Sequence, residues 1–364
     1  MPSAIVSLSA IKKNYAAVSS LVGSGVAVSA VVKSNAYGLG AVQVSRALYD
    51  VGCRHFWTAY LVEALDVRDV LPDDAKVYYL QGFRADDLPT LRTSKVVPVI
   101  NSVAELPHIL GQGLPFALHV DSGLSRLGIR PEALDNILPL LENECVECVI
   151  SHLACSDDAT HPLNQMQKAS FDASLKKVRR VVSTKGSLSA SAGILLGSGF
   201  HYDMVRAGAF LYGIRPDVQV NVPVPLENVL TLTAPVLQKY TLESDVSIGY
   251  GATYTTSRPT KVAIVSLGYA DGLKRTLSNR GHIGFYDCTG HFHKAPIVGK
   301  ISMDLVACDV SDIPDDATSV GIQAIILDGN YTIDDMSVDA ATIPCDVLTG
   351  INFGSRRFSI SYVN

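Results

Sequence analysis

The sequence predicts an α/β chain in which an N-terminal (β/α)8 barrel is followed by a C-terminal mainly-β domain. Across roughly the first 210 residues, short runs rich in Val, Ile, Ala and aromatics alternate with stretches of 3.6-residue hydrophobic spacing. There are eight such runs, the number that closes a ring of parallel strands. Beyond Tyr212-Gly213 the helical spacing fades, and short alternating runs punctuated by Gly and Pro take over.

A short strand near residues 5–7 comes first and is a candidate to pair with the second domain. The barrel strands are expected at 26–32, 55–58, 77–80, 96–100, 116–120, 147–151, 187–190 and 204–206. Between them, segments 40–49, 62–70, 102–110, 131–141 and 164–182 carry helical spacing, at intervals that suit βα units. An open doubly wound sheet is the competing architecture. It ordinarily carries a glycine fingerprint after its first strand, where this chain reads Lys33-Ser34-Asn35-Ala36-Tyr37. The Val/Pro-rich stretch 220–225 marks the change of texture, so the domains are drawn as 1–222 and 223–364. In the second, strands are expected at 231–240, 261–267, 294–298, 305–310 and 321–327, with few good helices between them.

A chain of 364 residues, 48% of them hydrophobic, can bury a large core in about two domains. Its 30 basic and 35 acidic side chains, with no basic block, exclude the electrostatic footprint of a nucleic-acid or anionic-membrane binder and leave small molecules as partners. No charged segment leading into an apolar stretch opens the chain, and no long uncharged span follows, so it is read as cytoplasmic. Seven scattered cysteines suit reduced, mostly buried thiols. Cys145 and Cys148 form a lone Cys-x-x-Cys. No second pair exists and Cys148 opens the apolar run Cys148-Val149-Ile150, so core thiol is the reading and no metal site is expected.

Lys33 ends the first barrel strand, which places its amine at the C-terminal mouth where barrel enzymes assemble their sites. Desolvation there favours the neutral amine, the form that condenses with a carbonyl. An isolated lysine at a strand end is ordinarily a solvated loop residue, but here the context weighs against that. Val31-Val32-Lys33-Ser34-Asn35-Ala36-Tyr37-Gly38-Leu39-Gly40 closely resembles the cofactor-lysine segment of the alanine racemases, fold-type III pyridoxal-phosphate enzymes. The resemblance implies a barrel followed by a β-domain, a functional homodimer, alanine as substrate and pyridoxal 5'-phosphate on Lys33, with Tyr37 helping to hold the phosphate.

Further family-like segments follow in order, each at or after an expected strand: His119-Val120-Asp121-Ser122-Gly123-Leu124-Ser125-Arg126-Leu127-Gly128, Ser151-His152-Leu153-Ala154, Ser189-Ala190-Ser191-Ala192-Gly193 and Asp203-Met204-Val205-Arg206-Ala207-Gly208. By the family pattern, Arg206 hydrogen-bonds the pyridine nitrogen, Ser191 and the amides of Gly208 and Ala209 bind the phosphate, and His152 stacks on or orients the cofactor. An arginine donates without surrendering a proton, so the ring stays neutral and side reactions are held down. Racemisation needs an acid/base on each face of the α-carbon. Ile248-Gly249-Tyr250-Gly251-Ala252-Thr253-Tyr254 resembles the family's catalytic-tyrosine motif, which makes Tyr250, from the partner subunit, the counterpart of Lys33. Ser266-Leu267-Gly268-Tyr269-Ala270-Asp271-Gly272 and Val298-Gly299-Lys300-Ile301-Ser302-Met303-Asp304 match two more segments. They imply that Tyr269 and the Met303 amide line the substrate side, that Arg126 steers the substrate carboxylate, and that Arg275 shapes the entrance. Taken singly, Tyr250 reads as a packing residue and Met303 as core filler.

Three positions depart from the pattern. His119 stands where many members have a lysine, carbamylated in some, that orients the arginine equivalent to Arg126; Cys345 replaces a phosphate-contacting tyrosine; Ala190 replaces an asparagine. Cys345 motivates one alternative, a racemase preferring serine or acting on several amino acids. A non-catalytic pyridoxal-phosphate-binding protein of the single-barrel kind is opposed by the β-domain. A basic-amino-acid decarboxylase is opposed by Arg206, where an acidic residue is expected.

Overall fold

The computed structural model describes residues 1–215, 220–351 and 358–364. It holds two compact units, Ile11–Glu227 and a second made of Met1–Ala10 with Asn228–Asn364. The sequence patterning drew 1–222 and 223–364. The first ten residues belong with the β-rich unit because β1 (Ser3–Ser7) lies in its sheet, and residues 216–219 of the change-over stretch fall outside the described residues.

The first unit is the parallel barrel. Its strands are β2 (Ala27–Val31), β3 (His55–Thr58), β4 (Lys76–Tyr79), β5 (Val97–Ile100), β6 (Phe116–His119), β7 (Val146–Ile150), β8 (Lys185–Ser187) and β9 (Met204–Ala207). Neighbours in sequence are neighbours in the sheet, and β9 returns to pair with β2 in register Ser29↔Arg206. Between β8 and β9 the ring is completed by a single parallel bridge, Ala190↔Arg206, with Asp203 N donating to Gly186 O at 3.1 Å and Arg206 N to Ser189 O at 2.9 Å. The expected strand 187–190 is therefore displaced to 185–187. Gly186 explains the displacement: a Cβ there would come within 2.5 Å of the Leu175 side chain, so close helix packing requires a residue with no strand signature.

The barrel interior is a packed core in which Val31, Trp57, Tyr78, Val97, Val99, Ala117, Cys148, Ile150 and Met204 form one buried cluster. Trp57 stacks on Tyr78 with ring centroids 4.1 Å apart. At ~25 cal/mol per Å², each such aromatic contributes roughly 4–6 kcal/mol of gross burial. Their polar tips are satisfied, since Trp57 Nε1 donates to Ser29 Oγ at 2.9 Å and Ser29 Oγ to Val205 O at 2.7 Å.

In the second unit, β10 (Leu230–Leu242) is the spine. Its first seven residues alternate between buried and half-buried, the mark of a sheet packed on one face. It pairs with β1 and, across an irregularity at Val236/Gln238, with β13 (Thr260–Val265). A short hairpin joins β11 (Ser247–Ile248) to β12 (Tyr254–Thr255); β14 (His282–Tyr286), β15 (Phe292–Pro296), β16 (Val306–Asp309), β17 (Gln323–Leu327) and β18 (Ser359–Val363) complete the unit. Among the described residues two α-helices interrupt it, Ile333–Ala340 and Pro344–Gly350. The first starts on a capping box: Thr332 Oγ1 accepts from Asp335 N at 3.2 Å, and Asp335 Oδ2 accepts from Thr332 N at 2.9 Å. The second opens on Pro344, whose fixed φ suits a first helical turn.

Candidate active site

Lys33 follows β2 after Val32 and enters a turn of opposite hand. Ser34, Asn35, Ala36 and Tyr37 all have φ between 53° and 57°. For non-glycine residues this costs about 1–2 kcal/mol each, so the turn persists only because its surroundings enforce it. Ser34 N donates to Glu63 Oε1 at 2.7 Å, Ala41 N to Asn35 Oδ1 at 2.8 Å, and Gly38 N to Ser34 O at 2.8 Å. The strained turn carries Tyr37 back over the mouth, its ring 4.7 Å from that of Tyr212.

Tyr37 ends beside Gly208, where a Cβ would lie 2.7 Å from the Tyr37 hydroxyl. Only glycine leaves room there. Ser191 faces the same place, its Oγ accepting from Gly208 N at 3.0 Å and Phe210 N at 3.3 Å. Ala209 opens the short 3-10 turn Ala209–Tyr212. These residues form a small cradle of hydroxyls and backbone amides without bulk.

Arg206 is buried at the end of β9. Its Nη1 donates to Ser187 O and Ser187 Oγ, each at 2.7 Å, and its Nη2 to Leu188 O at 3.2 Å and to Ser151 O. A guanidinium has five N–H groups. The four terminal ones are matched by four protein oxygens, and Nε–H has no protein acceptor among the described residues. Burial lowers its pKa to about 10, which leaves it charged at neutral pH.

His152 Nδ1 lies 3.5 Å from Arg206 Nη2. Burial first, and then the charges of Arg206, Arg126, Lys33 and His119, hold the His152 imidazole down to about 3. His119 is held down to about 4, by burial and then by Arg206 and Arg126. The charges of Arg206 and Arg126 thus bear on both imidazoles, and that of Lys33 on His152. Gln167, fully buried, clamps the His152 segment, with Oε1 accepting from Ala154 N at 2.8 Å and Nε2 donating to His152 O at 2.9 Å. Asn101 and Gln167 were missed by sequence reasoning, and Ser151 was singled out only as part of its segment, without a role. Asn101, directly after β5, had a usable signal, since it follows a strand end at the same rim as Lys33, His119 and Ser151.

The other expected residues lie in the β-rich unit. Tyr250, 67% exposed, sits between Gly249 and Gly251 against Lys300: a Cβ at Gly249 would be 3.3 Å from Lys300 N, and one at Gly251 3.2 Å from Lys300 Nζ. Tyr269 N donates to Ser302 O at 3.1 Å and Ala270 N to Met303 O at 2.9 Å, so Tyr269 and Met303 are neighbours. Both are exposed, as is Arg275. Cys345 lies half-buried in the first turn of helix Pro344–Gly350.

A parallel barrel with a lysine, a buried arginine whose terminal N–H groups alone are matched by protein oxygens, and a hydroxyl-amide cradle at one mouth, in a chain that continues into a β-rich unit, defines a class of barrel enzyme. Residues 6–216 match the family model described as alanine racemase, N-terminal domain, and residues 229–359 the one described as alanine racemase, C-terminal domain. An alanine racemase of Rickettsia canadensis is 36% identical over 361 residues, covering 97% of each chain. One from Rhodospirillum rubrum is 37% identical over 354 residues, covering 94% of this chain and 92% of the relative. The solved alanine racemase of Bartonella henselae, with covalently bound pyridoxal phosphate, superposes with a TM-score of 0.90 at 34% identity, covering 100% of this chain and 99% of that one. The biosynthetic alanine racemase of Pseudomonas aeruginosa gives 0.89 at 31%, with the same coverage. The chain belongs to the alanine racemase family.

Proposed function

We propose that the chain interconverts L- and D-alanine by taking the α-proton from one face and returning it on the other, with pyridoxal phosphate joined to Lys33 in the barrel mouth. The observation that carries this reading is Arg206: with its terminal N–H groups matched by protein oxygens, Nε–H remains for one outside acceptor, which suits an unprotonated ring nitrogen. The cradle fits the other end of the same group, because the bare Gly208 lies between the Tyr37 hydroxyl and Ser191 Oγ. Bound there, the cofactor supplies an electron sink that acidifies the α-carbon of an attached amino acid.

The chain's own residues do the rest. Arg206 stays protonated and donates to the ring nitrogen without giving up a proton. Ser191, Tyr37 and the Ala209 amide would hold the phosphate, joined by the Gly208 amide once it exchanges Ser191 Oγ for a phosphate oxygen. His152, neutral beside Arg206, orients the ring without adding charge. Lys33 Nζ moves the proton on one face and Tyr250 Oη on the other, since a single base returns the proton to the side it left. Arg126 and the Met303 amide hold the substrate carboxylate, and Tyr269 limits the side-chain space. Tyr250 comes from the second subunit of a homodimer, a role that its exposure and glycine flanks support. A cytoplasmic setting accords with seven cysteines that form no disulfide among the described residues. Among the described residues, no helix is long and apolar enough to cross a membrane.

The test is reduction of the pyridoxal-phosphate-loaded protein with borohydride followed by peptide mapping, alongside chiral chromatography of L-Ala, L-Ser, L-Lys and L-Arg after incubation. The pyridoxyl group is expected on Lys33, with alanine turned over fastest. Label on another lysine, or a clear preference for another amino acid, overturns the assignment.

A further inference from the structure

We propose that Glu63 is a positioning residue for Lys33: one carboxylate oxygen caps its own helix, while the other holds the peptide that follows the lysine and fixes the backbone from which that amine works. The proposal rests on the reading of Lys33 as the base on one face of the substrate. Helix Leu61–Arg68 starts after Tyr60, and Glu63 reaches back to that start, with Oε2 accepting from Ala59 N at 2.8 Å and Tyr60 N at 3.3 Å. Capping requires no more than this. Oε1 instead crosses to the neighbouring βα loop and accepts from Ser34 N at 2.7 Å.

The amides on either side of Lys33 are thereby both tied to the next unit round the ring. Val32 N donates to Trp57 O at 2.8 Å, in β3, and Ser34 N donates to the carboxylate that follows β3. By contrast, the bonds from Ala36 N to Val32 O, Gly38 N to Ser34 O and Ala41 N to Asn35 Oδ1, each 2.8 Å, stay within the lysine's own βα unit. Ser34 also opens the run of four positive φ values, so an ionised acceptor, the stronger kind, sits where the strained turn leaves the strand. A lysine that moves a proton swings on a flexible four-carbon stem, and a backbone held on both sides confines that swing to side-chain torsions. Lys33 and Tyr250 serve opposite faces, so a loosened Lys33 slows proton transfer on one face only.

Glu63→Asp separates the two tasks. An aspartate at this helix position can cap, as Asp335 does by accepting from Thr332 N at 2.9 Å, but its side chain is shorter by one methylene and leaves Ser34 N without its partner. In the holoenzyme the variant is expected to lower kcat about tenfold, as loss of one charge-assisted hydrogen bond implies, with the alanine KM changed much less. With α-deuterated D- and L-alanine, its kinetic isotope effect is expected to rise for one enantiomer and not for the other. A rise for both or for neither, or a parent-like kcat, overturns the proposal. NMR of the apoprotein labelled with 15N-serine reads the contact without turnover: the Ser34 amide proton is expected downfield in the parent and upfield in Glu63→Asp, and an amide that does not move overturns it. Glu63→Gln, which has a single acceptor oxygen for the two sets of amides, carries the same expectations and stands in if Glu63→Asp does not fold. Lys33→Ala is run beside them: racemisation retained in that variant removes the role given to Lys33, whatever the amide spectra report.

Discussion

Two guanidinium groups and a lysine beside two imidazoles make a stable mouth only if the imidazoles stay neutral. Burial is the larger cause in both cases and the arginines the next, which puts His119 at about 4 and His152 at about 3. In the unfolded chain both titrate near 6.5. Between about pH 6.5 and 4 the unfolded state therefore binds more protons than the folded one, and stability falls as pH falls. The contribution is full above about pH 6.5 and is lost at up to about 1.4 kcal/mol per pH unit for each imidazole through that window. Proton NMR is expected to show both rings unprotonated at pH 5, with the urea midpoint of the barrel lower at pH 5 than at pH 7. A His119 ring that titrates at its ordinary value would remove the electrostatic basis of the mouth.

At the scale of elements, the left-handed turn after Lys33 is where stability is given up for position. Asn is the least strained of the non-glycine choices there, and Asn35 also accepts from Ala41 N at 2.8 Å. Asn35→Gly keeps the conformation and loses that bond, for about 1 kcal/mol; Asn35→Val adds a β-branched side chain in the left-handed region and is expected to cost about 2–3 kcal/mol. Thermal unfolding ranks the two, and a valine variant as stable as the glycine one would mean that the turn is not strained. This turn was not legible in the sequence, since nothing in Ser34-Asn35-Ala36-Tyr37 signals consecutive positive φ values. The barrel strands were legible because β2 to β7 are buried runs of Val, Ile, Ala and aromatics, whereas β8 is Lys-Gly-Ser and was placed two residues late. Thr332 and Pro344 carried helix-start signals that the Gly/Pro texture of the second domain obscured. Motif resemblance reached Lys33, Arg206, Ser191 and Gly208, but Asn101 acts by holding the His119 side chain and Gln167 by holding the backbone of His152 and Ala154, and both belong to none of the matched segments.

For the molecule as a whole, the expected chemistry is divided between its two units: the amine, arginines and cradle lie on the barrel, while Tyr250, Tyr269 and Met303 lie on the β-rich unit. Exposures of 67%, 41% and 54% for those three are high for side chains meant to line a water-poor site, as the partner-subunit reading requires. That reading has an arithmetic consequence. A Lys33→Ala chain and a Tyr250→Phe chain are each expected to be nearly inactive alone. If each site draws its lysine from one subunit and its tyrosine from the other, a mixed dimer holds one intact site and one doubly defective site. Equal mixing with subunit exchange then makes half of the dimers mixed and restores about a quarter of the parent activity, as two-fold symmetry dictates. Sites complete within one chain restore nothing on mixing, because each chain still carries its own defect. Activity measured against mixing ratio, with a tagged copy to quantify exchange, separates the two arrangements and fixes whether association builds the catalytic site or only stabilises it.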